Sequence, residues 1–193
     1  MFHRIVLLGS IATLAFASKA EADYRRSDNV VDFALIYPVV SVKSPAVKRQ
    51  QTTAGVSFVY SFFLNSNLGL SFIPSVWFFP LRITNNSNVA KEMLYCLSTE
   101  LGPTFRLGSP SYLNPTFTLS SGVTTMDAGK SAKQTFSYPL SAKASIDLWK
   151  SEDPYFDPTL ALTLLGGYSY LLQANPLIDN SIGYFGLSFR GSF

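Results

Sequence analysis

The chain has 193 residues, 47% of them hydrophobic and only 14% charged, with a net charge of +3. That length suits one domain, and so weak a basic excess excludes a nucleic-acid binder, which concentrates Lys and Arg on one face. Cys96 is the only cysteine, so an intrachain disulfide is excluded as well.

Met1-Phe2-His3-Arg4 is a short cationic start, followed by an apolar run from Ile5 to Ala17 and small residues up to Ala22. That order predicts a signal-peptide helix over 1–22 of the Sec type, cleaved after the A-x-A site Ala20-Glu21-Ala22. The apolar run is shorter than the roughly 20 residues that a membrane-spanning helix needs. The mature domain then covers 23–193, and its charge falls to +2 once Arg4, Lys19 and Glu21 leave (3 − 2 + 1). No later segment is long and apolar enough for a helical span, so any span must be made of strands.

From there the dominant period is two. Strands are predicted near 30–43, 54–64, 67–83, 92–107, 115–126, 134–149, 157–171 and 182–193, separated by turn formers such as Asn65-Ser66-Asn67 and Asn85-Asn86-Ser87-Asn88. Between Thr135 and Trp149 one face carries Phe136, Tyr138, Leu140, Ala142, Ala144, Ile146 and Leu148, and the other carries Thr135, Ser137, Ser141, Lys143, Ser145 and Asp147. The fourth segment splits likewise, with Tyr95, Leu97, Leu101, Phe105 and Leu107 against Cys96, Ser98, Glu100, Gly102, Thr104 and Arg106.

Alternation alone also fits a β-sandwich or a soluble barrel. In those folds the polar face meets water and is dense in Lys and Glu, whereas here it is mostly Ser, Thr and Gly. Small polar residues suit a narrow interior, with the apolar face towards lipid and aromatics such as Phe33, Phe78, Tyr95, Phe105, Tyr170 and Phe189 near strand ends forming girdles. The expectation is an all-β, eight-stranded antiparallel up-and-down transmembrane β-barrel.

The last segment places Phe185, Leu187, Phe189 and the terminal Phe193 on one face. It resembles the closing strand of Gram-negative outer-membrane proteins, with Gly191 departing from the usual pattern of larger outward residues. Strand count and length resemble the OmpA, OmpX and OmpW group of small barrels. The resemblance implies a cell outer-membrane location, periplasmic termini, periplasmic chaperones during export, and recognition of Phe185, Leu187, Phe189 and Phe193 by the barrel-assembly machinery. A monomer is expected.

With the termini periplasmic, connections 44–53, 84–91, 127–133 and 172–181 lie outside, and Lys48, Arg49, Lys91, Lys130 and Lys133 with them. Lys48, Arg49, Lys130 and Lys133 are candidates to pair with lipopolysaccharide phosphates, while Glu152, Asp153 and Asp157 fall on the periplasmic side. The interior receives Asp32, Glu100, Arg106, Lys143, Asp147 and Arg190, which must pair across the lumen to be tolerated there. The expected pairs are Asp32 with Arg190 across the seam and Glu100 with Lys143 at mid-height.

Pro38, Pro74, Pro80, Pro103 and Pro139 fall inside these strands, where each removes a ladder donor. Pro74 and Pro103 are expected close together on the third and fourth strands, as a bulge or as a weakened ladder. The only histidine is His3, in the signal segment, so the mature chain cannot assemble a Ser-His or Asp-His site. No catalytic, cofactor or metal residues are expected. Two functions follow: a structural or surface-interaction barrel plugged by its own side chains, or a narrow channel or OmpW-like lateral exit for small or apolar solutes.

Overall fold

A computed structural model describes residues 29–42, 47–49, 53–85, 88–107, 113–127, 134–151, 159–173 and 177–193. The expected signal peptide, Lys130, Lys133 and the acids Glu152, Asp153 and Asp157 lie outside the described residues.

The strands are β1 Asn29–Val42, β2 Val47–Arg49, β3 Ala54–Phe63, β4 Leu68–Asn85, β5 Asn88–Arg106, β6 Thr116–Asp127, β7 Thr135–Ser137, β8 Pro139–Lys150, β9 Thr159–Leu171 and β10 Ile178–Ser192. Each pairs antiparallel with its neighbours in a sheet that closes on itself. The short strands are not extra staves. β2 pairs with β4 beyond the end of β3, and β7 pairs with β6 beyond the end of β8, so β2 with β3 and β7 with β8 each make one interrupted stave of eight.

Closure is made by β1 and β10, in register from Val30 opposite Ser192 to Val40 opposite Ile182. Tracing the pairs from Val31 through Tyr60, Phe72, Leu101, Ser121, Leu140, Tyr170 and Ser181 returns to β1 at Ser41, just past the Val40–Ile182 pair. The stagger is thus ten residues (41 − 31). With a rise of about 3.3 Å and a strand spacing of about 4.8 Å, that stagger over eight staves tilts the strands by roughly 40°.

Closure leaves each side chain two directions, towards the axis or away from it. Phe33, Leu35, Phe72, Leu97, Leu101, Leu164, Leu187 and Phe189 are exposed on the outer wall, and Asp32, Ala34, Ser71, Ser98, Glu100, Thr163 and Ser188 are buried inside. The alternation read from the sequence is this division between outside and inside.

The prolines are accommodated one-sidedly. Pro74 pairs with Thr99 and Pro103 with Leu70 in a ladder that runs without interruption from Leu68–Phe105 to Asn85–Asn88. The two prolines are therefore four positions apart, and the expected weak seam between β4 and β5 is absent. The gaps lie on their other sides. β3–β4 pairing skips Phe58 and Val59 opposite Ile73 and Pro74, and β5–β6 pairing skips Gly102 and Pro103 opposite Leu119 and Ser120. Pro38, Pro80 and Pro139 behave alike, each paired on one flank and set at an interruption on the other. A proline lacks a single donor, which points to one neighbour only, so each costs one ladder and spares the second. Beside Pro103, Gly102 supports its gap: a Cβ there would fall 1.9 Å from the Leu119 carbonyl oxygen.

Two further boundaries differ from the sequence reading. The β4–β5 hairpin continues to Asn85 and Asn88, so Lys91 sits in a strand and not in a loop. β10 begins at Ile178, four residues earlier than expected (182 − 178).

Leu101 stands near mid-height of the outer wall and is 53% exposed. Leu101→Arg should therefore destabilise the protein in lipid vesicles by about 2–4 kcal/mol, as a cation does on the lipid face of a barrel. Urea unfolding checks this, and an unchanged midpoint would mean that water, not lipid, bathes that wall.

Candidate functional site

Among the described residues, the interior gathers buried ionisable groups of both signs. Asp32, Glu100, Arg106, Lys143, Asp147 and Arg190 are all buried there, three anions against three cations. Charges removed from water persist only where opposite charges and hydrogen bonds replace it.

Arg190 holds the network nearest the chain termini. Its Nε and Nη2 donate to the two carboxylate oxygens of Asp32, at 2.7 and 3.1 Å. Its Nη1 donates to Asp147 at 2.8 Å, and Nη2 also donates to the Ser145 hydroxyl at 3.0 Å. Asp147 is completed by the Thr163 hydroxyl at 2.9 Å and the Asn114 amide at 3.3 Å. Asp32 lies directly opposite Arg190 in the β1–β10 ladder, so the expected seam contact is also a contact between the first and last strands. The planar guanidinium suits this double role because it presents several donors in a fixed fork.

Higher in the lumen the second expected pair is not made. Glu100 accepts instead from the hydroxyls of Ser98 at 3.1 Å and Ser120 at 2.7 Å, and Ser98 in turn shares a hydrogen bond with Thr124. These hydroxyls stand on Glu100's own strand and the adjoining one, closer at hand than an ammonium reaching over from β8. Lys143 forms no ion pair among the described residues. It sits between two small cavities: one lined by Asp32, Ser61, Thr104, Arg106 and Arg190, the other by Ser57, Ser75, Trp77, Glu100 and Tyr184. Each has room for about one water molecule, and the Trp77 indole N–H that borders the second has no protein partner. Arg106 lies with its guanidinium carbon 3.6 Å from the centre of the Phe63 ring, a cation–π contact at the terminal end of the lumen.

The far half of the interior is unlike the half just described. Ile36, Val40, Trp77, Phe79, Leu81, Leu94, Cys96, Met126, Leu171, Ile178 and Ile182 pack there as one cluster, with Tyr184 and Leu177 against it. Trp77 meets Phe79 edge-on with centroids 6.5 Å apart, and its ring is 6.1 Å from that of Tyr184. Tyr184 fills the space over its cross-strand partner Gly167, where a Cβ would fall 2.4 Å from the phenol ring. The sequence reading missed this apolar plug because it assigned the axis to Ser and Thr throughout. A signal was present: from Val76 to Leu81 both alternating faces are apolar, which one lipid-facing side does not require.

The remaining candidates lie on the outside. Phe185, Leu187, Phe189 and Phe193 are exposed on the outer wall at the closing strand, Phe189 at 70%. Lys48 and Arg49 fall in β2, opposite Arg82 and Leu81 in register. No group of His, Cys, Asp and Glu suited to a metal ion occurs among the described residues.

Solved structures share this architecture at low identity, among them the following three. Outer membrane protein OprG from Pseudomonas aeruginosa matches with a TM-score of 0.52 and 13% identity over 88% of this chain and 97% of its own. The attachment invasion locus protein Ail of Yersinia pestis matches with a TM-score of 0.52 and 14% identity over 88% and 100%. Neisserial surface protein A matches with a TM-score of 0.55 and 11% identity over 88% and 100%. The fold is that of the small eight-stranded outer-membrane barrels. No protein-family model matches the chain, and no curated protein does.

Arg190→Gln strands two buried carboxylates and should cost about 3–5 kcal/mol, the range for breaking a buried pair by removing one partner. Asp32→Asn should cost less, because Asp147 still faces the guanidinium. Urea unfolding in vesicles tests this ranking, and equal midpoints for wild type and Arg190→Gln would show that the network does not hold the seam.

Proposed function

We propose that the chain is an integral outer-membrane barrel with a structural or surface-interaction role, sealed along its axis and presenting its far end outside the cell. Export by residues 1–22, periplasmic termini, and reading of the Phe185, Leu187, Phe189 and Phe193 strand by the assembly machinery belong to the same proposal. The fold, the apolar outer wall and the aromatics near both ends of that wall support it. Tyr95, Phe136, Tyr138 and Tyr170 are exposed towards the far end, and Phe62, Trp149 and Phe193 towards the terminal end. Lys48, Arg49, Lys130 and Lys133 are proposed contacts for lipopolysaccharide at the outer face.

The observation that carries the sealed reading is the apolar plug. A hydrated ion entering from the far end must shed its water among Phe79, Leu81, Leu94 and Met126, each no more than 1% exposed. Nothing there replaces the lost hydration, and the cost of moving a bare charge into such a medium is prohibitive. The polar half beyond is a second barrier, since Asp32 and Asp147 hold Arg190 between them and each cavity there has room for only about one water molecule. The lateral exit expected between the third and fourth staves has no gap to use, because the β4–β5 ladder is continuous.

Planar-bilayer recording tests the assignment. The wild-type chain should show no resolved openings, and neither should Glu100→Gln/Lys143→Gln, because the charges are not the seal. Phe79→Ala/Leu94→Ala should produce openings. Conductance in the wild type, or in the Glu100/Lys143 variant alone, would replace the sealed barrel with a gated channel.

A further inference from the structure

The outward rungs of the β4–β5 hairpin change character in a fixed order. From the terminal end they read Leu68–Phe105, Leu70–Pro103, Phe72–Leu101, Pro74–Thr99, Val76–Leu97, Phe78–Tyr95 and Pro80–Met93, and then Arg82–Lys91. All but Thr99 in the first seven rungs are apolar, and Phe78 and Tyr95 meet edge-on with centroids 5.7 Å apart. The eighth rung is two cations.

The spacing matches a bilayer. Leu68 to Pro80 is twelve residue steps (80 − 68). At about 3.3 Å per residue and a tilt of roughly 40°, they advance about 30 Å along the axis, the thickness of a hydrocarbon core. Arg82 and Lys91 lie one rung, about 5 Å, further on, where headgroups begin.

The cations also stand where repulsion should disfavour them. Like charges directly opposite on neighbouring strands are destabilising, and the register sets Lys48 of β2 opposite Arg82 on its other flank. Three basic residues therefore occupy adjacent positions across three strands. Arg82 and Lys91 are exposed, and neither forms an ion pair among the described residues. Asp127, on the strand beside β5, is level with Tyr95, four positions away from Lys91 (95 − 91).

We propose that the Arg82–Lys91 rung is a binding site on the barrel's outer wall for the phosphates of an outer-leaflet lipid. Arg and Lys donate charge-assisted hydrogen bonds to phosphate, and the acyl chains of the same lipid lie down the apolar column beneath, past Phe78 and Tyr95. The site rests on the membrane reading above and deepens it. It moves the anchoring contact from the loop tips to the wall, and it adds Arg82 and Lys91, which the earlier lipopolysaccharide candidates did not include.

The test uses the full chain refolded in detergent. Heat-modifiable migration on gels is checked first, since it reports the closed barrel independently of any lipid. Binding is then measured for lipid A, for dephosphorylated lipid A and for a soluble polyanion. Wild type should bind lipid A about tenfold more tightly than the dephosphorylated form, and Arg82→Gln/Lys91→Gln should lose most of that preference while remaining heat-modifiable. Arg82→Lys/Lys91→Arg should keep it. No preference for the phosphorylated lipid in wild type overturns the site without touching the barrel, whether or not the Gln variant folds. An unchanged preference in the Gln variant, or tighter binding of the soluble polyanion, overturns it too. A wild-type chain that is not heat-modifiable removes the membrane reading and the site together.

Discussion

The structure depends on closure of the β1–β10 seam. A sheet of eight staves with a stagger of ten has no free edge, so every strand can satisfy both flanks without water. Closure also fixes what each residue faces. Leu101 and Glu100 are neighbours in the chain, yet one looks outwards and the other meets the hydroxyls of Ser98 and Ser120. The seam is reinforced where the backbone ladder is supplemented by Arg190, which ties the last strand to Asp32 on the first and to Asp147 on β8. An offset of two residues at the seam would carry Asp32 away from Arg190, so the buried charges favour the register that the hydrogen bonds require.

The interior is divided by chemistry. Its terminal half resembles a folded polar network, with ion pairs, hydroxyl ladders such as Ser61–Ser71 and Ser75–Ser57, and cavities of single-water size. Its far half resembles the core of a soluble protein. Both fillings suit an eight-stranded barrel, whose interior is just wide enough for side chains, but they block passage differently. Neutralised pairs can exchange partners, whereas a packed apolar cluster has to be emptied. For that reason the sealed reading stands on Phe79, Leu94 and their neighbours rather than on Lys143.

Much of the fold was legible because period two is a geometric consequence of the strand and needs no tertiary information. The faces of 135–149 and 94–107 could be written down directly, and Asp32 could be set near Arg190 because closure makes the first and last strands neighbours. What the pattern does not encode is competition among partners. Glu100 is held by hydroxyls beside it, and the opposed charge of Lys143 is no guide to that. Nor does it encode sidedness: a proline in a strand breaks one flank, and only the register shows which. The plug escaped for a related reason. Where both faces are apolar, as around Trp77 and Phe79, alternation vanishes, and a buried interior looks like a lipid-facing wall.

The two tryptophans separate inside from outside most directly. Trp77 is buried in the lumen at 2% exposure, whereas Trp149 is 53% exposed on the outer wall. Single-tryptophan variants Trp77→Phe and Trp149→Phe, folded into vesicles of brominated lipid, report which ring the acyl chains touch. The account predicts strong quenching of Trp149 and little of Trp77. Quenching of Trp77 by the lipid, with Trp149 reached only by an aqueous quencher, would contradict it.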